Sequence, residues 1–501
     1  MTSTDVDVLI VGAGPAGLTL ACDLRRRGVN HRVISAAADG FEGSRAKAVQ
    51  PRTLEILDDL GVLAAIEPHS TLYPKLGLHL GPVTAPRTMI KHHRATEDIP
   101  HPNTLLIAQY DTDAALRGRL AELGGEVEFN TRLLSHTDAP DSVLATVERP
   151  GGGTEQIRAR YLIGADGGSS TVRSGAGIGF TGTTDDSDRM IVADVTLDGL
   201  STDRWHVWPR NAGRFMALCP LPGGTFQLML KLRPEDPADL DQPAVERLAK
   251  DFTGKAKVIL RDIHWSSLWR PNIRLADRYR ADRVLLIGDA AHVHPPTGGQ
   301  GMNTGIQDAY NLGWKLAQVL AGAPDSLLDT YEAERRPVAA RVLGLSTEIY
   351  HAMNGRPLAG TKRGDEERQL TLSYARGPLA PTDDSSPGPR AGDRAPDAAY
   401  NDADGLAGHL HDAFRGTHFT LLALGDGAAD AAKSVQWPDT GSPLRTLLIP
   451  HPGAGLKRIY ALTGPTFVLV RPDGYIAAVD QDATHPAIKR FLDLATPTHT
   501  T

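Results

Sequence analysis

Residues 5–17 read DVDVLIVGAGPAG, and residues 18–34 continue LTLACDLRRRGVNHRVI. The mostly apolar run from Val6 to Val11 has a strand's length. A glycine turn follows, then a helical pattern, then a second strand at His31–Ile34, so the segment reads as a βαβ unit. Gly12, Gly14 and Gly17 form G-x-G-x-x-G between strand and helix, with Ala16 in the same turn. The missing Cβ atoms allow a tight turn and close approach to a pyrophosphate, while the helix N-terminus offers unpaired N–H groups to the anion. A bound dinucleotide is expected. The acidic ribose partner that usually ends the second strand is replaced by Ser35. Its hydroxyl can still hydrogen-bond a ribose, and Arg45 is available to compensate for the lost charge.

The 501 residues imply two or three domains. The formal charge is -7 with both signs interspersed, so no basic track for nucleic acid is expected. Cys22 and Cys219 stand far apart without metal-type spacing, which excludes a disulfide framework, a zinc site or a thiol redox pair as readings. No stretch has the length and apolarity of a membrane span or an export signal. The expectation is a cytoplasmic protein with no membrane partner.

Changes of pattern along the chain divide it. Residues 185–275 hold strand-like pieces, RMIVADVTL, GRFMALCPL and TFQLMLKL, between Gly and Pro turns, as in a mostly antiparallel sheet. VLLIGDA, from Val284, then leads into a glycine-rich loop and the helical IQDAYNLGWKLAQVL. Residues 375–399 are rich in Pro, Gly, Asp and Ser, a composition suited to a linker. Beyond them FTLLALG, RTLLIPH and FVLVRPDGYIAAV read as strands.

Two further segments decide which dinucleotide is bound: YLIGADGGSSTVR at 161–173 and VLLIGDAAHVHPPTGGQGMN at 284–303. With GAGPAG and the later LLDTYEAERRPVA, they resemble the class A flavoprotein aromatic hydroxylases, over roughly residues 5–345. The family includes para-hydroxybenzoate, phenol and aromatic polyketide hydroxylases. The resemblance implies an α/β fold: a Rossmann-like FAD-binding domain at 1–180, an inserted antiparallel β-sheet substrate domain at 181–275, and a return of the FAD domain at 276–375. A linker at 376–399 and a thioredoxin-like domain at 400–501 complete it. That last domain lacks a cysteine pair, so a structural or oligomerisation role is expected of it, with a homo-oligomer as one outcome.

The resemblance also implies site residues. Asp289 is expected at the flavin ribitol and pyrophosphate, and Pro296, Gly299, Gly301, Met302 and Asn303 beside the isoalloxazine. There a helix N-terminus suits the negative charge of reduced flavin. Asp166 and Gly167 are expected at FAD, and Asp166 with Arg173 at the nicotinamide site. NADPH or NADH would dock transiently, because no second complete fingerprint exists. Arg45 is implied near the pyrophosphate and Gln109 at the flavin.

The middle sheet, with Trp205, His206, Trp208, Phe215, Met216, Phe226 and Trp265, is expected to wall the substrate, although strands ordinarily bury such side chains in a core. His206 and His264 are weak candidates for a base acting on a ring hydroxyl. His292 and His294 lack a third ligand, so no metal is expected. The implied chemistry is reduction of FAD by NAD(P)H, addition of O₂ to give a flavin C4a-hydroperoxide, and transfer of its distal oxygen to an electron-rich phenolic, polyketide or hydroxypyridine-type ring. Baeyer–Villiger insertion or epoxidation is the alternative reading, and a non-catalytic flavin scaffold the minor one.

Overall fold

The computed structural model describes residues 3–210, 214–254, 258–295, 299–355, 366–380 and 387–497. Pro296 lies outside the described residues. The βαβ reading is realised at the centre of the first sheet. Strand Ser3–Val11 runs parallel to His31–Ile34, with Val8 opposite His31, and parallel to Thr154–Gly164, with Val8 opposite Tyr161. Val8, Leu9 and Ile10 are fully buried, as a central parallel strand requires. Val284–Leu286 then adds beside Thr154–Gly164, with Leu162 opposite Val284. The chain thus leaves this sheet after Gly164 and comes back to it.

Helices Pro15–Arg26 and Gly301–Leu320 pack against each other at a distance only small residues permit. A Cβ at Gly305 would lie 3.1 Å from the Gly288 Cα and 3.4 Å from the Ala16 Cβ, and one at Gly313 would collide with the Asp23 carboxylate. Asp23 in turn holds Arg27 at 2.9 Å.

The second sheet has seven strands, in the order Ile259–Trp269, Met190–Asp198, Phe226–Lys231, Phe215–Pro220, Arg204–Pro209, Lys75–Leu80 and Val83–Arg87. The last two come from outside the 181–275 segment, from the first part of the chain. Lys75–Leu80 pairs in parallel with Arg204–Pro209, Leu76 opposite Trp205. A short alternating segment such as KLGLHL signals a strand, but its sheet is fixed only by its partner. Helix Gln242–Thr253, capped by Asp241 accepting from the Ala244 N–H at 2.8 Å, covers one face of this sheet through Val245, Leu248 and Phe252. The opposite face, with Val192, Trp205, Phe215 and Cys219, looks towards Ala48, Leu106 and Ala108 of the first domain.

The C-terminal sheet runs Leu444–Ile449, Phe419–Leu424, Thr466–Val470, Ile476–Asp480, the first pair parallel and the other two antiparallel. With helices Ala428–Ala432, Ala454–Ile459 and Pro486–Ala495 between and after these strands, this is the thioredoxin-like order. It docks on helix Gly301–Leu320: Trp314 meets Phe419 edge to face at 5.7 Å, and Arg471 reaches Glu334 at 2.7 Å in the same buried seam. Cys22 and Cys219 are buried free thiols. No helix among the described residues is long and apolar enough to cross a membrane.

Candidate active site

The three fingerprint glycines are needed for different reasons. Gly12 has φ +115°, and a Cβ there would strike the Ala165 carbonyl; a Cβ at Gly17 would strike the Gly12 carbonyl. Those two glycines serve the protein's own packing. Gly14 is the N-cap of helix Pro15–Arg26, and a Cβ there meets nothing within 4 Å. Its missing side chain leaves room for something other than this chain, in front of unpaired helix N–H groups.

Across that opening lies the loop from Gly288. Asp289 is exposed to solvent yet densely surrounded by protein, which places it in a depression rather than on a convex surface. Desolvation raises its carboxyl above the usual range, opposed by the nearby charges of His292 and Arg45. Arg45 is itself exposed, its guanidinium 5.2 Å from the Phe41 ring centroid and 5.9 Å from that of Trp265.

Helix Gly301–Leu320 begins at the far end of this loop, with Gly301 and Met302 half-buried. The Asn303 side chain is fully committed: it accepts from the Gln50 N–H at 2.8 Å and donates to the carbonyls of Ala48 at 2.8 Å and Gly299 at 2.7 Å. Only its backbone is free to serve a ligand. The same bonds draw residues 43–50 against the loop, and Gln109 extends the lacing by accepting from the Ala46 N–H at 3.1 Å while donating to Asp113 at 3.3 Å. Burial pushes the Asp113 carboxyl up to about 7.

Asp166 caps the short helix Thr171–Gly175, accepting from the Thr171 N–H at 2.7 Å and the Ser170 hydroxyl at 2.5 Å. Gly167 beside it has φ +81° and open space around it. Arg173 is buried. It donates to the carbonyls of Ala290 at 2.9 Å and Gly168 at 2.8 Å and lies 3.8 Å from the Phe180 ring centroid. Its guanidinium therefore clamps the 166–168 loop to the 288–290 loop. Ser35 directly follows its strand and is half-exposed, its hydroxyl accepting from the Ala37 N–H at 3.3 Å.

A shape with an open phosphate turn, a recessed carboxylate and an unblocked helix N-terminus fits FAD, and comparison with known proteins agrees. Residues 5–346 match the FAD binding domain family, and residues 388–495 match the aromatic-ring hydroxylase C-terminal family. The chain belongs to the FAD-dependent aromatic-ring hydroxylases. A flavin-dependent monooxygenase of Mycobacteroides abscessus is 44% identical over 95% of this chain and 97% of its own length. The 12-dehydrotetracycline 5-monooxygenase/anhydrotetracycline 6-monooxygenase of Streptomyces rimosus is 34% identical over 94% of both chains. The crystal structure of the flavin-dependent monooxygenase PieE with FAD and substrate superposes with a TM-score of 0.82 at 26% identity, covering 97% of this chain and 99% of that one.

The histidines expected to act as bases in this hydroxylase do not face the site. His206 follows Trp205 on its strand and so turns to the opposite, helix-covered face, pairing across to Leu218 and sharing that side with Trp208. Its two ring nitrogens are engaged, by His79 at 3.0 Å and the Ser201 carbonyl at 2.8 Å, and burial lowers its basicity. Trp208, Met216 and Phe226 belong to the same covered core. His264 sits exposed on the edge strand, 2.6 Å from the Thr196 hydroxyl.

Two groups of site residues carried no signal in the sequence. The first is Asp308, which accepts from His292 at 2.7 Å, the Gly288 N–H at 3.2 Å and Arg335 at 2.7 Å beneath the loop. The second is Asp194, on the inner face of the sheet, with Lys47 from the loop opposite it. Lys47 donates to Gln227, and Gln227 to the Ser44 carbonyl.

Proposed function

We infer that the substrate of this FAD-dependent aromatic monooxygenase is a phenol of fused-ring, polyketide type, hydroxylated with NADPH or NADH and O₂. Gly14, Asp289, Arg45 and the first turn of helix Gly301–Leu320 would hold FAD. When bound, FAD would supply the O₂-activating chemistry at the expense of the nicotinamide, with one oxygen atom entering the ring and the other leaving as water. The chain's own work is to bind, orient and exclude water. One observation carries the substrate reading. Met229, in the middle of a central strand, and Trp265 beside it remain partly solvent-reached on the inner face, next to Trp205 and Phe215. A central-strand residue is reached by solvent only where the sheet borders a cleft, and here the cleft is walled by large apolar side chains. The activity of the Streptomyces rimosus relative on a tetracycline skeleton points the same way. Arg173 and Asp166 shape the floor on which the nicotinamide would dock. A cytoplasmic setting, which supplies NAD(P)H, and a possible homo-oligomer complete the proposal.

Anhydrotetracycline and other fused phenols, each beside its O-methyl ether, test this reading through nicotinamide oxidation, hydrogen peroxide and oxygenated product. The phenol should be hydroxylated ortho or para to its OH, and the ether should bind but divert turnover to peroxide, because an ionised hydroxyl is what enriches the ring in electrons. Equal, coupled hydroxylation of both would contradict it. Oxygen inserted beside a ketone would move the enzyme to Baeyer–Villiger chemistry.

A further inference from the structure

Asp194 is a buried carboxylate approached by the Ser44 hydroxyl and backbone N–H, neither of them in hydrogen-bond alignment. It is only 3% exposed, it lies opposite Gln227 on one neighbouring strand and Trp265 on the other, and neither of its oxygens has an aligned hydrogen-bond donor among the described residues. Strand alternation from Met190 and Val192 puts it on the inner face, beside the partly open Met229. An unpaired carboxylate in such a place costs several kcal/mol, on the order of the desolvation penalty of a buried ion, and is kept where a ligand completes it.

The groups facing it form an incomplete set. Lys47, from the loop that also lines the flavin side, is reached by solvent although densely surrounded, and its ammonium lies 5.0 Å from the Trp205 ring centroid. It makes no ion pair with Asp194, on whose carboxyl Lys47 and the exposed His264 act without contact. Ser44 lies against the carboxylate, and the Cys219 thiol and the Tyr110 phenol are coupled to it electrostatically. Burial raises Asp194 to about 6, against the opposing pulls of Ser44, Lys47 and His264, and burial lowers Lys47. Asp194 and Lys47 are coupled electrostatically without an ion pair, so a ring hydroxyl brought between them would meet a proton acceptor on one side and an ammonium on the other.

We propose that Asp194 is the proton acceptor for the substrate's ring hydroxyl, and that Lys47 holds the oxyanion that remains. The O–H bond breaks, the proton passes to Asp194, and the electron pair stays on the ring oxygen beside the Lys47 ammonium. After oxygen transfer the same proton returns to that oxygen as product leaves. A nearby cation lowers the pKa of an acid by about 1–3 units, which closes most of the roughly four-unit gap between an ordinary phenol, at about 10, and a carboxyl raised to about 6. The inference rests on the monooxygenase reading for its chemistry, and it names what selects the substrate: a free hydroxyl aimed at the inner face of the sheet.

The test uses oxidised, FAD-loaded enzyme without nicotinamide, so that binding is read apart from oxygenation. The probe is 6-acetyl-2-naphthol, a fused hydroxyaromatic that is mostly un-ionised in water near pH 7 and whose anion absorbs at longer wavelength. Wild-type enzyme should show saturable binding with the anion band, and calorimetry in two buffers of different ionisation heat should show no net proton release. Asp194→Asn should lose the band, or form it only with release of a proton to buffer. Lys47→Met should bind the probe un-ionised, and this second variant keeps the proposal testable if the first folds poorly. An un-ionised probe in the wild type, no saturable binding, or an Asn variant with the same band and the same proton count would overturn the proposal. Loss of hydroxylation with the wild-type band intact would instead count against the monooxygenase reading.

Discussion

His292 and Asp308 are joined by a 2.7 Å hydrogen bond in which both side chains are fully buried. Asp308 also receives the Gly288 N–H and the Arg335 guanidinium, and burial of its carboxyl is outweighed by Arg335 and His292, which hold it in its charged form. One carboxylate on helix Gly301–Leu320 thereby fixes the loop that presents Asp289. Asp308→Ala would leave the Arg335 charge buried and unpaired, at a cost of about 3–5 kcal/mol. The expected outcome is a much lower unfolding temperature. His292→Phe should unfold within a few degrees of wild type but lose FAD more readily on dialysis, since the loop is freed without stranding a charge. Unchanged FAD retention in His292→Phe would show that the loop needs no such anchor.

The fingerprint glycines separate packing from cofactor binding. Gly17→Ala places a Cβ against the Gly12 carbonyl and should destabilise the apoprotein. Gly14→Val fills empty space and should leave apoprotein thermal unfolding unchanged while FAD affinity falls at least tenfold, about 1.4 kcal/mol. Measuring both quantities in both variants checks the division, and equal effects on folding would refute it.

The C-terminal domain is held by charge as well as by Trp314. Glu334 is buried between Arg471, at 2.7 Å, and Lys315, at 2.8 Å. Burial of its carboxyl is overridden by these two cations, which hold it down to about 2. A folded-state value below the unfolded one means that the contribution is present above the ordinary glutamate range and is lost as pH falls through about 4 towards 2. Glu334→Gln should remove most of this acid sensitivity. It should also cost about 3–5 kcal/mol near neutrality, because it leaves the buried Lys315 without its carboxylate, while Arg471 keeps Asp473. Urea unfolding at several pH values reads both effects, and a parallel acid profile in the variant would contradict the assignment.

Asp194 should behave in the opposite sense. Its folded value of about 6 lies above the ordinary aspartate range, so folding is favoured by its neutral form and stability is lost as pH rises from about 4 through 6. Asp194→Asn should therefore raise the unfolding temperature above pH 6, by up to about 3 kcal/mol in stability. A variant that is less stable than wild type at pH 7.5 would show that the carboxylate already has a partner in the folded chain.

What could be read in advance follows from how local the constraint is. Gly12, Gly14 and Gly17, and Asp289 in its GD turn, answer to backbone geometry within a few residues, so their spacing is visible in the sequence. Asp194 and Lys47 answer to which face of a strand meets which loop. A lone Asp in ADVTL looks like a solvent-facing position until the pairing with Gln227 and Trp265 turns it inward. His206 failed for the same reason in reverse: its chemistry was legible, but one step along the strand from Trp205 placed it on the other face. The strand Lys75–Leu80 was hidden because its partner, Arg204–Pro209, lies far along the chain. Asp308 carries no local signal, because a carboxylate within a helix is ordinary until His292 and Arg335 converge on it.

The most direct measurement of the central claim is the mass of the product formed from a fused hydroxyaromatic by FAD-loaded enzyme with NADPH under isotopically labelled O₂. The account predicts one labelled oxygen on a ring carbon ortho or para to the existing hydroxyl, with one nicotinamide consumed per product. Nicotinamide oxidation that yields only hydrogen peroxide across the panel of phenols, or product oxygen drawn from water, would contradict it.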